Sequence, residues 1–123
     1  MYFIEPLSRI PVYEQLIEQI ERYILAGILK SNEQLPSVRT MSVSLAVNPN
    51  TIQKAYSELD SKKIIFSVPG KGCFVSENAI EIIGNYKRLK LNELSNTLNE
   101  LKLANITKEE ILALIDSVYN ERS

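Results

Sequence analysis

Two helix-start signals separated by a short apolar run constrain this chain more than any other feature. Pro36 disfavours helical backbone at Leu35, and the Ser37 hydroxyl can cap the residues that follow, so a helix is predicted from Val38 to about Leu45. Val38, Met41, Val43 and Leu45 are its residues available for burial. Asn48 is a second strong cap and Pro49 suits a first helical position, which opens another helix running to roughly Lys62. That helix carries Ile52, Ala55, Tyr56 and Leu59 on one face. Ala46-Val47 allows only a compact connection between the two. A pair of helices joined so closely is the helix-turn-helix pattern.

The pair needs a third helix to complete a core. Pro11 starts one, and Tyr13, Leu16, Ile17, Ile20 and Ile24 form a single stripe before the Gly27 stop. Glu14, Glu18 and Glu21 give its opposite face an acidic character that should point away from any polyanion. Beyond Lys63 the pattern turns from helical to extended: Ile64 to Val68 and Cys73 to Val75 are β-branched and aromatic, and Pro69-Gly70-Lys71-Gly72 between them is a turn sequence. The fold class is therefore mainly α with a small β-hairpin, a winged helix-turn-helix over residues 9–76. Residues 77–123 form a two-helix C-terminal dimerisation tail. Its first seam is Leu91, Leu94, Leu98 and Leu101; after a capping box at Thr107 to Glu110, Ile111, Leu114, Ile115 and Val118 share the face of a last helix. Ile106 and Ile111 are placed as a hydrophobic staple across that box.

At 123 residues the chain has room for one main core and a small appendage. The sequence contains no histidine, which removes the commonest general base near neutral pH and the Ser-His and Cys-His nucleophile pairs. A single cysteine, Cys73, reads as a small buried apolar residue rather than a metal ligand. No enzyme, metal or cofactor is expected. The N-terminus has no basic start before an apolar run, and no stretch is apolar enough to span a membrane, so a cytoplasmic protein without a membrane partner is expected.

Charge is unevenly distributed. From Pro36 to Val75 five basic residues (Arg39, Lys54, Lys62, Lys63, Lys71) face two acidic ones (Glu58, Asp60), whereas from Ser76 onward eight acidic residues outnumber six basic. A polyanion would meet the middle of the chain. In a helix-turn-helix the second helix presents its N-terminal residues to base edges, here Asn48, Asn50, Thr51, Gln53 and Lys54. Asn and Gln can pair with adenine, Thr can meet the thymine methyl, and Lys can reach guanine or phosphate, although Asn48 can equally be only a cap. Arg39 opens the preceding helix, where the dipole disfavours a cation; phosphate would compensate it. Gly70 and Lys71 form a wing tip able to enter a minor groove.

With these elements placed, residues 9–75 resemble the DNA-binding domain of GntR-type bacterial regulators. The motifs that carry the likeness are Leu35-Pro36-Ser37-Val38-Arg39, Val47-Asn48-Pro49-Asn50-Thr51 and Gly70-Lys71-Gly72. The resemblance implies operator contacts from Arg39, Asn48, Asn50, Thr51 and Gln53, and a minor-groove role for Gly70 and Lys71. Several members carry arginine where this chain has Pro49 or Gln53. The short tail looks like the YtrA branch, which implies a homodimer acting on double-stranded operator DNA, a repressor in expectation. Any small-molecule effector is left open. The rival reading is a winged helix serving as a protein-interaction adaptor.

Overall fold

Both helix-start signals are used as the sequence predicts. In the computed structural model, which describes residues 1–121, the Ser37 side chain accepts from the Thr40 amide at 3.0 Å and starts α2 (Val38–Leu45). The Asn48 side chain accepts from the Asn50 amide at 2.8 Å and starts α3 (Pro49–Ser61) with Pro49 in its first turn. Between them Ala46 takes a left-handed conformation, φ 54 and ψ 47. Two bonds close the turn: the Ser42 hydroxyl donates to the Val47 carbonyl, and the Val47 amide donates to the Ser42 carbonyl at 3.1 Å.

The chain divides into two compact units, Met1–Asn85 and a second beginning at Tyr86. In the first, α1 (Val12–Leu25) packs on α3, and the hairpin of β1 (Ile65–Val68) and β2 (Gly72–Val75) follows α3 directly. The strands run antiparallel with Phe66 opposite Phe74 and Val68 opposite Gly72. Leu16, Ile20 and Ile24 of α1, Met41 of α2, Ile52, Ala55 and Leu59 of α3, and Ile65 and Val75 of the strands form the core. Each fully buried aliphatic side chain of this kind contributes about 1.5–3 kcal/mol, so this shared interior is what orients α3 relative to α1. The core continues past the hairpin, because Ala79 and Ile83 of α4 (Ala79–Arg88) are buried in it.

Two expectations fail on the helix faces. Val43 was expected to be available for burial, but it is 76% exposed. At 100° per residue it lies far around the short α2 from Met41, which takes the inward position. Glu21 was expected on the acidic outer face of α1 and is instead buried. It stands one turn from Ile17 and falls within the inward arc with Ile20 and Ile24.

Two features have no counterpart in the sequence reading. Residues 32–35 line the free edge of β2: the Asn32 amide donates to the Val75 carbonyl at 2.7 Å, the Val75 amide to Glu33 at 2.9 Å, and the Leu35 amide to Cys73 at 2.9 Å. The N-terminal segment lies antiparallel along α1 on a ladder of side chains one turn apart. Gln15 pairs the backbone amide and carbonyl of Glu5, Gln19 those of Phe3, and the Tyr23 hydroxyl reaches the Met1 carbonyl at 2.7 Å. The match is geometric: about 6 Å per four helical residues against about 6.6 Å per two extended ones.

The second unit carries α5 (Lys90–Leu103) and α6 (Lys108–Asn120). Thr107 caps α6 by accepting from the Glu110 amide at 3.2 Å. The tail region thus contains α4 ahead of the expected helix pair, and the first two turns of α4 belong to the core of the first unit. Among the described residues no helix is long and apolar enough to cross a membrane.

Candidate nucleic-acid interface

The exposed side of α3 follows from the burial of the other side. Ile52, Ala55, Tyr56 and Leu59 face inward, which leaves Asn50, Gln53, Lys54 and Ser57 on the outside; Thr51 is half-buried. Asn48 is exposed, yet its carboxamide oxygen is occupied by the cap. That oxygen is the acceptor half of an adenine pairing, so the cap competes with base contact. Gln53 also has a partner, donating through Nε2 to the Ser57 hydroxyl at 3.0 Å one turn along. Asn50 presents an exposed carboxamide in the first turn.

Arg39 is exposed at the second residue of α2, a turn with no acidic residue. The amide ends of that turn repel a cation and attract an anion, so a phosphate placed there meets both the guanidinium and the helix terminus. Tyr56 ties this terminus to α3. Its hydroxyl donates to the Pro36 carbonyl at 2.7 Å, and burial pushes its pKa well above the ordinary tyrosine value. Sequence reasoning saw Tyr56 only as one apolar position among four. The spacing marks the buried face but does not reveal what a hydroxyl on it will reach.

Lys54 is positioned by a group on another helix. Its Nζ lies 3.9 Å from the centre of the Tyr13 ring on α1, a cation–π contact worth about 0.5–1 kcal/mol at an exposed site. The Tyr13 hydroxyl donates to Glu14 at 3.2 Å, and this bond to the carboxylate raises the Tyr13 pKa. Lys54 is therefore held against α1.

At the wing the Lys71 amide donates to the Val68 carbonyl at 2.9 Å and Gly70 has φ 77, the pattern of a type II turn with Pro69 leading. Gly70 and Lys71 are both exposed at its tip. The wing base is tied to the end of α3, since the Ser67 hydroxyl donates to Asp60 Oδ2 at 3.0 Å. On its other edge Gln34 Nε2 donates to the Lys71 carbonyl at 2.7 Å. Cys73, expected to be buried, is only half-buried, across the hairpin from Ser67.

In the second unit no residue of α5 or α6 is buried. Leu98, Leu101 and Ile111 are half-buried. Leu91, Leu94, Leu114, Ile115 and Val118 are exposed, Leu91 by 62% and Leu114 by 63%. An apolar groove between the helices is lined by Leu98, Ile106, Ile111, Leu112 and Ile115.

A family model described as "Bacterial regulatory proteins, gntR family" matches residues 12–75. The chain is 46% identical over 79 residues to the HTH-type transcriptional repressor YtrA of Bacillus subtilis (strain 168), a match covering 64% of this chain and 61% of that protein. Among solved structures it is similar to a transcriptional regulator from Oenococcus oeni, with TM-score 0.74 and 32% identity, covering 95% of this chain and 98% of the other. It is also similar to AraR(DBD) in complex with operator ORX1, with TM-score 0.56 and 30% identity, covering 62% of this chain and 96% of that one.

Proposed function

The chain belongs to the GntR family of bacterial regulatory proteins, and from that membership we propose that it is a DNA-binding repressor that works as a homodimer on an inverted-repeat operator. The observation that carries the reading is the exposed first turn of α3, offering Asn50 beside the cap residue Asn48, together with the cationic start of α2 at Arg39. Asn50 and Gln53 read base edges, Gln53 exchanging its bond to Ser57 for one to a base. Arg39 holds phosphate, and Thr51 contributes its methyl group. Gly70 and Lys71 reach the minor groove or its flanking phosphates. Asn48 acts first as a cap, and Lys54 exchanges Tyr13 for phosphate. The relative bound to an operator supports DNA as the ligand, and the relative named as a repressor supports the sign of the regulation.

Dimerisation rests on the second unit. Helices of about 14 residues are marginal in water unless an apolar face is covered, and every apolar residue of α5 and α6 is at least partly open to solvent. A second copy covers Leu91, Leu94, Leu98, Leu101, Ile111, Leu114, Ile115 and Val118, which sets two copies of α3 in successive major grooves. The half-sites then lie about 10 bp apart. Selecting bound duplexes from a random-sequence pool with the intact chain tests the reading: enrichment of an inverted repeat supports it. No enrichment over input at low salt overturns it in favour of a protein-interaction adaptor. Sedimentation equilibrium checks the pair, and a monomer at micromolar concentration refutes that part.

A further inference from the structure

The wing tip lies at the end of a backbone ladder that stops one rung short. Successive carbonyls on the outer edge of β2 belong to Val75 and Cys73, and they receive the amides of Asn32 and Leu35. The next outward carbonyl along that edge is Lys71, which the register of the Gln34–Phe74 bridge sets opposite Ser37, but there the chain turns away to cap α2. Gln34 supplies the missing donor from its side chain, with Nε2 2.7 Å from the Lys71 carbonyl oxygen. Gly72 is shaped around this bond. A Cβ on Gly72 would stand 2.7 Å from the same Nε2, closer than non-bonded atoms tolerate, and its φ of 124 is strained for any other residue. Gly72 therefore leaves a gap that the Gln34 amide fills.

The geometry points to Gln34 as a positioning residue for DNA binding: its carboxamide clamps the Lys71 backbone so that the wing-tip side chain is presented in one orientation. Gln34 lies outside the helices and the two strands and bonds the tip only through its backbone. The clamp limits the conformations that Lys71 must give up on binding. This inference rests on the wing contacting DNA as proposed above.

The experiment compares wild type, Gln34→Met, Lys71→Ala and the double variant of the intact chain. Affinity is read by fluorescence anisotropy on a labelled duplex selected by the wild-type chain. Wing order is read from the {1H}-15N NOE at Gly70, Lys71 and Gly72. Gln34→Met is expected to weaken binding about 3- to 10-fold, the share of one hydrogen bond. It is also expected to lower the NOE at those three residues and to add nothing once Lys71 is alanine. Because Gln34 is exposed, its removal leaves the core intact. Gly72→Ala, which displaces the amide, provides a second variant and should lower the NOE in the same way. An unchanged NOE in Gln34→Met overturns the clamp, and so does an affinity loss of equal size with and without the Lys71 side chain. Undiminished affinity in Lys71→Ala overturns the wing contact itself and with it the role of Gln34, whereas the NOE reports the clamp separately from that contact.

Discussion

Replacing Ala46 by glycine should stabilise this protein, although glycine inside a helix does the reverse. Ala46 ends α2 with φ 54 and ψ 47, in the left-handed region where its Cβ crowds the following carbonyl. That conformation costs a residue with a side chain about 1–2 kcal/mol and glycine close to nothing. Against this, glycine loses more freedom on folding, about 0.4–1 kcal/mol. Ala46 is exposed, so the deleted methyl group takes no core contact with it. The balance favours Ala46→Gly by about 0.5–1 kcal/mol. For a folding unit of this size that is a rise in Tm of roughly 2–6 °C. Ala46→Val should move the other way, because a β-branched side chain tolerates positive φ least. Lys63, at φ 65 just after α3, repeats the logic, and Lys63→Gly should also gain. Thermal melts of the three variants beside wild type decide the matter. If Ala46→Gly melts below wild type while Ala46→Val does not, positive φ is not where the strain of the turn resides, and the reasoning fails. DNA affinity should be unchanged in Ala46→Gly, since the bonds between Ser42 and Val47 still close the turn.

Arg39→Ala should weaken binding to all sequences alike and lower the slope of log affinity against log salt by about 1, measured by anisotropy titrations at several salt concentrations. Asn50→Ala should instead compress the difference between the selected duplex and a mutated one, by about 1–3 kcal/mol for its base pair. Leu98→Asp or Ile111→Asp should abolish the proposed dimer in sedimentation equilibrium while the {1H}-15N amide spectrum of the first unit stays dispersed. Tyr56→Phe should cost about 1 kcal/mol at neutral pH through the lost bond to Pro36. Tyr56 also carries a pH signature. Its folded pKa lies above the ordinary value of 10.0, so well below pH 10 both states keep the proton and Tyr56 adds no pH dependence to stability. Above it the unfolded chain ionises first and stability falls as pH rises. Tyr2, raised to about 12 by burial, falls in the same direction. Urea melts between pH 8 and 11 should show this loss in wild type and less of it in Tyr56→Phe.

Several features are legible in the sequence because each depends on a few adjacent residues. Ser37 and Asn48 cap from their own side chains, Pro49 fits a first turn by its ring, and Pro69-Gly70 dictates its turn through fixed φ values. The stripe of Leu16, Ile20 and Ile24 follows from helical period alone. The exceptions show where local reading ends. Val43 fits an apolar inventory but sits on the outside of α2, and Glu21 fits a charged inventory but lies on the inward arc of α1. How wide an inward face is depends on how many neighbours surround the helix, which period cannot state.

The sequence by itself determined the two capped helices, the hairpin and the apolar stripes, since caps, turns and periodicity act over one or two turns of chain. Only the tertiary structure decided which polar groups meet across it. Gln15 and Gln19 hold an N-terminal segment, Tyr56 reaches Pro36 twenty residues away, and Gln34 reaches Lys71 across thirty-seven. A hydrogen bond needs its two atoms within about 3 Å and says nothing to the chain between them. Such partners are set by the packing of the core that brings them together, and that packing is a property of all the elements at once.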